Sequence, residues 1–158
     1  KLSNYEFNKK LNTKLRLLSP SDFGYHNLLQ LKSGKLIFLD FEYFGWDDPA
    51  KLISDFLFHP AMSITKKQKF FWLTSMLNSY NNEIDNRVNS LWALYGLCWV
   101  LIMLKDFDIH IWKKRNNISN FSKEYYLKTI ETKYNQAKEL LSFLHLNKGR
   151  NIRDVYNA

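Results

Sequence analysis

Three prolines, at positions 20, 49 and 60, split the chain into a short interrupted first part and a long second part in which no proline forbids helix. Proline fixes φ and lacks a backbone donor, so regular elements stop around it. Beyond Pro60 only Gly96 and Gly149 punctuate the sequence. Apolar residues recur there at helical spacing, so the expected fold class is α+β, mainly α.

The helical part reads as four segments. Residues 50–59 form a short helix with Pro49 at its first position and Pro60 closing it. Residues 65–80 carry Phe70, Leu73, Leu77 and Tyr80 on one face. Residues 86–106 are apolar on nearly every side, as expected for a helix at a bundle centre, with Cys98 a buried, inert thiol. Residues 121–144 are amphipathic through Tyr126, Ile130, Ala137, Leu140, Leu141 and Leu144, and the polar residues from Lys148 onward are expected to fray. At the other end, residues 4–12 read as the last turns of a helix.

Between them lies a hairpin signal. Leu28-Leu29-Gln30-Leu31 and Leu36-Ile37-Phe38-Leu39 flank Lys32-Ser33-Gly34-Lys35, two short apolar runs about a turn. Asn27 precedes the first run and Asp40 follows the second, so antiparallel pairing is expected to set them side by side. Asp22 stands five residues before Asn27. An Asp, an Asn and a second Asp at this spacing suit phosphoryl transfer: Asp22 orients an accepting hydroxyl, while Asn27 and Asp40 offer hard oxygens to magnesium on the ATP phosphates.

Composition removes other classes. A net charge of +8 permits anionic partners, yet the lysines are spread along the chain and match no nucleic-acid reader. The densest basic run, Lys113-Lys114-Arg115, reads as a solvated helix end or loop. One cysteine excludes an internal disulfide. No secretory signal opens the chain, and the run from Leu91 to Leu104 is, at 14 residues, too short to span a bilayer. A cytoplasmic protein without membrane or nucleic-acid partners is expected. The four histidines, His26, His59, His110 and His145, lack metal-ligand spacing and read as structural.

The segment from about residue 17 to 60 resembles the C-terminal lobe of the aminoglycoside phosphotransferase and choline kinase-like families, which share a protein-kinase-like fold. Their catalytic loop commonly reads His-Gly-Asp-x-x-x-x-Asn, and here it reads Pro20-Ser21-Asp22-Phe23-Gly24-Tyr25-His26-Asn27. Asp40-Phe41-Glu42-Tyr43, then Gly45 and Asp48-Pro49, resembles their metal loop, an Asp-x-Glu leading to a Gly and an Asp-Pro or Asn-Pro. The resemblance implies Asp22 as catalytic carboxylate, Asn27 and Asp40 as magnesium ligands, Glu42 assisting the metal through water, and Asp55 bracing the catalytic loop. It implies Mg2+ and ATP, or another nucleoside triphosphate, as cofactors and a small-molecule hydroxyl (an aminoglycoside, choline or a sugar) as acceptor.

Two departures shape the expectation. Pro20 and Ser21 stand where His and Gly often do, and no Gly-rich phosphate loop or Val-Ala-x-Lys strand occurs, so the N-terminal lobe is missing. The start without methionine suggests a fragment, a processed form or a trimmed chain. One domain is expected over residues 1–158: loops at 19–49, a helical bundle at 50–146 and a polar tail at 147–158. Alone it should be a weak or dead enzyme. The alternatives are a non-catalytic, pseudokinase-like binding or assembly module and, third, a basic nucleic-acid-binding helical domain. Glu42, Asp47, Asp48, Asp106 and Asp108 are the carboxylates available for an acidic patch facing a cationic acceptor.

Overall fold

The computed structural model describes residues 10–116 and 122–157. Residues 4–9 of the expected first helix, and the expected helix start at Phe121, lie outside the described residues. Within them, the expected helix does not reach residue 12. Residues 10–12 are irregular, and a single 3-10 turn follows at Thr13–Leu15, with Asn12 Oδ1 accepting from the Lys14 N–H at 3.0 Å. The residues expected as one domain fall into two compact units, residues 1–95 with 149–158, and residues 96–148. Among the described residues the fold is mainly helical with two small strand pairs.

The first unit holds both pairs. β2 (Leu28–Gln30) and β3 (Leu36–Phe38) form the expected hairpin in the register Leu28↔Phe38, Leu29↔Ile37, Gln30↔Leu36. Gly34 turns it at φ +81°, a conformation that side chains with a Cβ rarely adopt. A second antiparallel pair joins β1 (Leu17–Ser19) to β4 (Gly45–Asp47), with Leu18 opposite Trp46. The two pairs hold the segments from Pro20 to Asn27 and from Leu39 to Phe44 as the connections between strands.

Helix α1 (Pro49–Phe58) starts where the sequence signals it. The Asp48 carboxylate accepts from the Ala50 N–H at 2.9 Å, and proline at the first position gives up a donor that would be orphaned anyway. It buries Ala50, Leu52, Ile53, Phe56, Leu57 and Phe58. Helix α2 (Lys66–Asn78) begins with a capping box between Thr65 and Gln68, and buries Leu73 and Leu77.

Helix α3 (Asn82–Leu104) leaves the first unit at Tyr95 and continues in the second from Gly96. The run from Leu91 to Leu104 is the middle of this longer helix. With the turn that follows, residues 82–107 are long and apolar enough to cross a membrane by length and composition, which corrects the inference from 14 residues alone. In the first unit, however, α3 is bonded to protein. Its Asn89 side chain accepts from the Ile152 N–H at 2.9 Å, and its Asp85 pairs with Arg153 at 3.1 Å. Those partners lie at α6 (Ile152–Asn157), where Ile152, Val155 and Tyr156 are buried and the helix packs on α2. The polar tail therefore does not fray: three apolar residues in its last turns anchor it.

In the second unit, α3 is followed by a 3-10 turn (Lys105–Phe107), α4 (Ile109–Asn116) and α5 (Lys123–Leu146). Gly96 lets α3 and α5 approach, since a Cβ there would stand 2.6 Å from Leu144 Cδ2. Trp112 is buried edge-on against Tyr126, whose hydroxyl donates to the Phe107 carbonyl at 3.0 Å. Helix α3 is not buried on every side. Val100 and Met103 face inward, but Leu97 and Leu101 are exposed and so is Cys98, which is a solvent-facing thiol and not a core one. Composition alone hides this, because one face suffices for packing and the other is equally apolar.

Candidate active site

Asp22 sits in a loop pinned on both flanks. Ser19, in β1 and 1% exposed, accepts from the Ser21 N–H at 2.9 Å through Oγ. Phe23 stacks on Phe38 of the hairpin at 5.0 Å, on Trp72 of α2 at 5.7 Å and on Phe56 of α1 at 6.0 Å. A side chain adjacent to Asp22 is thus shared by three elements. Gly24 lies beneath, buried, and residues 25–27 make a 3-10 turn.

Asn27 closes that turn and donates from Nδ2 to the Asp22 carbonyl at 2.9 Å. The Asp-to-Asn spacing is therefore a physical link, five residues wrapped until the amide reaches back. Asp40 is placed differently from expectation. The Leu39 N–H donates to the Asn27 carbonyl at 2.8 Å, so Asn27 faces Leu39, and Asp40 is offset from Asn27 by one position. β3 ends at Phe38, and Asp40 takes φ 60° as the chain leaves the sheet.

Among the described residues, two non-glycine residues have positive φ: Asp40, and Ser21 at φ 66°. One precedes the expected catalytic carboxylate and the other is an expected metal ligand. Such conformations cost of order 1–3 kcal/mol each and cluster where a site dictates the backbone.

Asp55 braces the loop through an intermediary. It pairs with Lys51 at 2.8 Å, one helical turn back, and Lys51 donates to the Ser21 hydroxyl at 3.0 Å and pairs with Asp47 at 3.3 Å. Burial opposes the charge on Lys51, but the hydrogen bonds and charges of Asp55 and Asp47 outweigh it and hold the ammonium above its ordinary value.

The remaining acidic residues are mostly committed to structure. Asp48 caps α1 and accepts from Arg87 Nε at 2.7 Å, while Asp47 accepts from the Asp48 N–H. In the second unit, Asp106 pairs with Arg115 at 2.7 Å and Asp108 caps α4 through the His110 N–H at 2.8 Å. Arg115 belongs to the basic run expected at a helix end, and that run does close α4. Glu42 stays exposed beside Tyr43, whose phenol it pushes up by accepting its hydrogen bond.

Sequence spacing missed two histidines. His26 and His59, the latter at the C-terminus of α1, stack face to face with centroids 3.9 Å apart and planes 2° from parallel. Both direct Nε2 at the same oxygen of Asp22, His26 at 3.0 Å and His59 at 3.6 Å. Asp22, His26 and His59 bring ligand-type atoms within 4.8 Å of one another. Hydrogen bonding argues against a metal there. His59 Nδ1 accepts from the Ala61 N–H at 3.1 Å, which puts the proton of the neutral ring on Nε2, the atom a metal would need bare.

No protein-family model matches the chain, and no curated protein or solved structure is similar to it.

Proposed function

We propose that the chain is the C-terminal-lobe portion, of protein-kinase-like fold, of a magnesium- and ATP-dependent phosphotransferase acting on a hydroxyl of a small molecule. The observation that carries this reading is the strained backbone at Ser21, which enters the loop tied together by the Asn27 side chain, and at Asp40, which leaves the hairpin that follows it. Strain at both places, with a lysine network holding one of them, is what a preorganised site requires.

Asp22 supplies the carboxylate that accepts or orients the proton of the acceptor hydroxyl. Its loop is held by Ser19, Asn27 and the Phe23 stack, so the carboxylate's place is set before substrate arrives. Asn27 and Asp40 suit a magnesium ion. The amide nitrogen of Asn27 is engaged with Asp22, which leaves its oxygen as the free donor. The Asp40 carboxylate is exposed and has no hydrogen bond or ion pair among the described residues. Hard oxygens are the ligands magnesium takes, and the bound ion neutralises charge on the phosphates. Glu42, exposed on the same connection, would assist through water.

Calorimetry of ATP binding with and without magnesium, on this chain and on Asp40→Ala, tests the reading. Weak binding that needs magnesium and disappears in the variant supports it. Binding that ignores both magnesium and Asp40 overturns the metal assignment, and no binding by either form leaves two explanations, the missing lobe and a pseudokinase-like module.

A further inference from the structure

We infer that His26 and His59 are a stacked positioning pair that holds Asp22 by one carboxylate oxygen, Oδ1, and leaves Oδ2 as the oxygen that meets a ligand. What Oδ2 meets rests on the phosphotransferase reading; the clamp rests on the geometry alone.

An ionised carboxylate only accepts, so the 3.0 Å contact between His26 Nε2 and Asp22 Oδ1 is an N–H donated by His26. His59 is oriented independently. The Ala61 N–H donates to its Nδ1 at 3.1 Å, so its Nε2 bears the proton and turns it toward that same Oδ1 from 3.6 Å. The second contact is too long for a hydrogen bond. Its contribution is the stack: a ring fixed from α1 lies flat on the His26 ring and fixes that ring in turn.

The surroundings reserve space for this pair. A Cβ on Gly24 would stand 2.8 Å from both Cε1 and Nδ1 of His26 and 2.6 Å from Met62 Sδ, so the chain is bare of side chain where the imidazole lies. The imidazole side chains are 18% and 13% exposed, against 43% for Asp22, so the rings sit behind the carboxylate and the carboxylate faces out. A carboxylate on a freely rotating χ2 presents either oxygen; one tied at Oδ1 presents Oδ2.

The test pairs a spectroscopic readout with a kinetic one. Long-range proton–nitrogen NMR of the 15N-histidine-labelled chain should show His26 and His59 protonated at Nε2, with the His26 Nε2–H signal lost or shifted upfield in Asp22→Ala. A His59 ring protonated at Nδ1, or a His26 signal indifferent to Asp22→Ala, overturns the clamp. So does zinc titration that removes both Nε2 protons at micromolar metal, which would make the trio a metal site.

The kinetic arm is magnesium-dependent ATP hydrolysis by the same chain, with water as acceptor. His26→Phe keeps the stacked ring but loses the donor, and should lower kcat about tenfold with KM for ATP little changed. His26→Gln restores an N–H and should recover most of that loss, a rescue that a merely space-filling histidine would not give. If His26→Phe and His26→Gln are equally impaired while both fold, the positioning role falls. If the NMR pattern holds but ATP binds without regard to magnesium or Asp40, the clamp stands and the phosphotransferase reading is what fails.

Discussion

The ammonium of Lys51 donates to the Ser21 hydroxyl at 3.0 Å and so ties the first turn of α1 to the residue before Asp22. Lys51 is itself held by Asp55 at 2.8 Å and Asp47 at 3.3 Å. The network joins a left-handed backbone at Ser21, β4 and α1, and explains how a strained residue persists.

Replacing Lys51 by Met should lower stability at pH 7 by about 1 kcal/mol, below the usual range for a charged hydrogen bond because the side chain is partly solvated. Its folded pKa is raised, so its contribution is fully present below the unfolded value and is lost as pH rises through the folded one. Urea unfolding of parent and variant should therefore show a gap at pH 7 that narrows above about pH 10. Burial raises the Tyr95 and Tyr156 pKa values and weakens both proteins in the same alkaline range, which the comparison cancels. Equal stability at pH 7 would remove the network from the account of Ser21.

Phe23 anchors the Asp22 loop to the hairpin and two helices, and its removal is a test of how far the site depends on that anchor. Phe23→Ala should cost about 2–3 kcal/mol, at or below the low end of the range for a fully buried Phe because Phe23 is only half-buried. Phe23→Leu should recover much of that. The fluorescence of Trp72, 5.7 Å from the Phe23 ring, reports the loss locally. If Phe23→Ala unfolds at the parent's midpoint, the loop is held by its hydrogen bonds alone.

The parts of the fold that could be read in sequence are those with local signals. Asp48-Pro49 marks the start of α1, and Thr65 with Gln68 marks that of α2, because caps satisfy orphaned donors within a few residues. The hairpin followed from Gly34 between two apolar runs. The β1–β4 pair was illegible: Gly45-Trp46-Asp47 has the composition of a turn, and its partner lies far off in sequence. The same holds for the site. Asp22 and Asn27 are joined by a short-range wrap that spacing reveals, whereas His59 reaches Asp22 only once α1 has docked. Cys98 was misread because hydropathy counts apolar residues without saying which of two apolar faces is covered.

A half-buried charge without a carboxylate partner should be a burden, and Lys69 of α2 is one. Its side chain lies 6.0 Å from the centre of the Tyr156 ring of α6, and burial alone lowers its pKa, with no carboxylate contributing. A lowered lysine pKa means that the unfolded chain binds the proton more tightly than the folded one. Stability therefore rises with pH through the interval between the folded pKa and the ordinary value near about 10.4. Lys69→Met keeps the length, removes the charge and lets the thioether pack on the ring. The variant should be more stable than the parent at pH 7 by about 0.5–1 kcal/mol, desolvation relieved less the cation–ring attraction lost. Its advantage should shrink as pH approaches about 10, where the parent's lysine sheds its proton anyway. Thermal unfolding of the two proteins at pH 7 and pH 10 decides it. A less stable variant at pH 7 would mean that the ammonium held against Tyr156 is worth more than its burial costs, and that α6 is fastened by that contact.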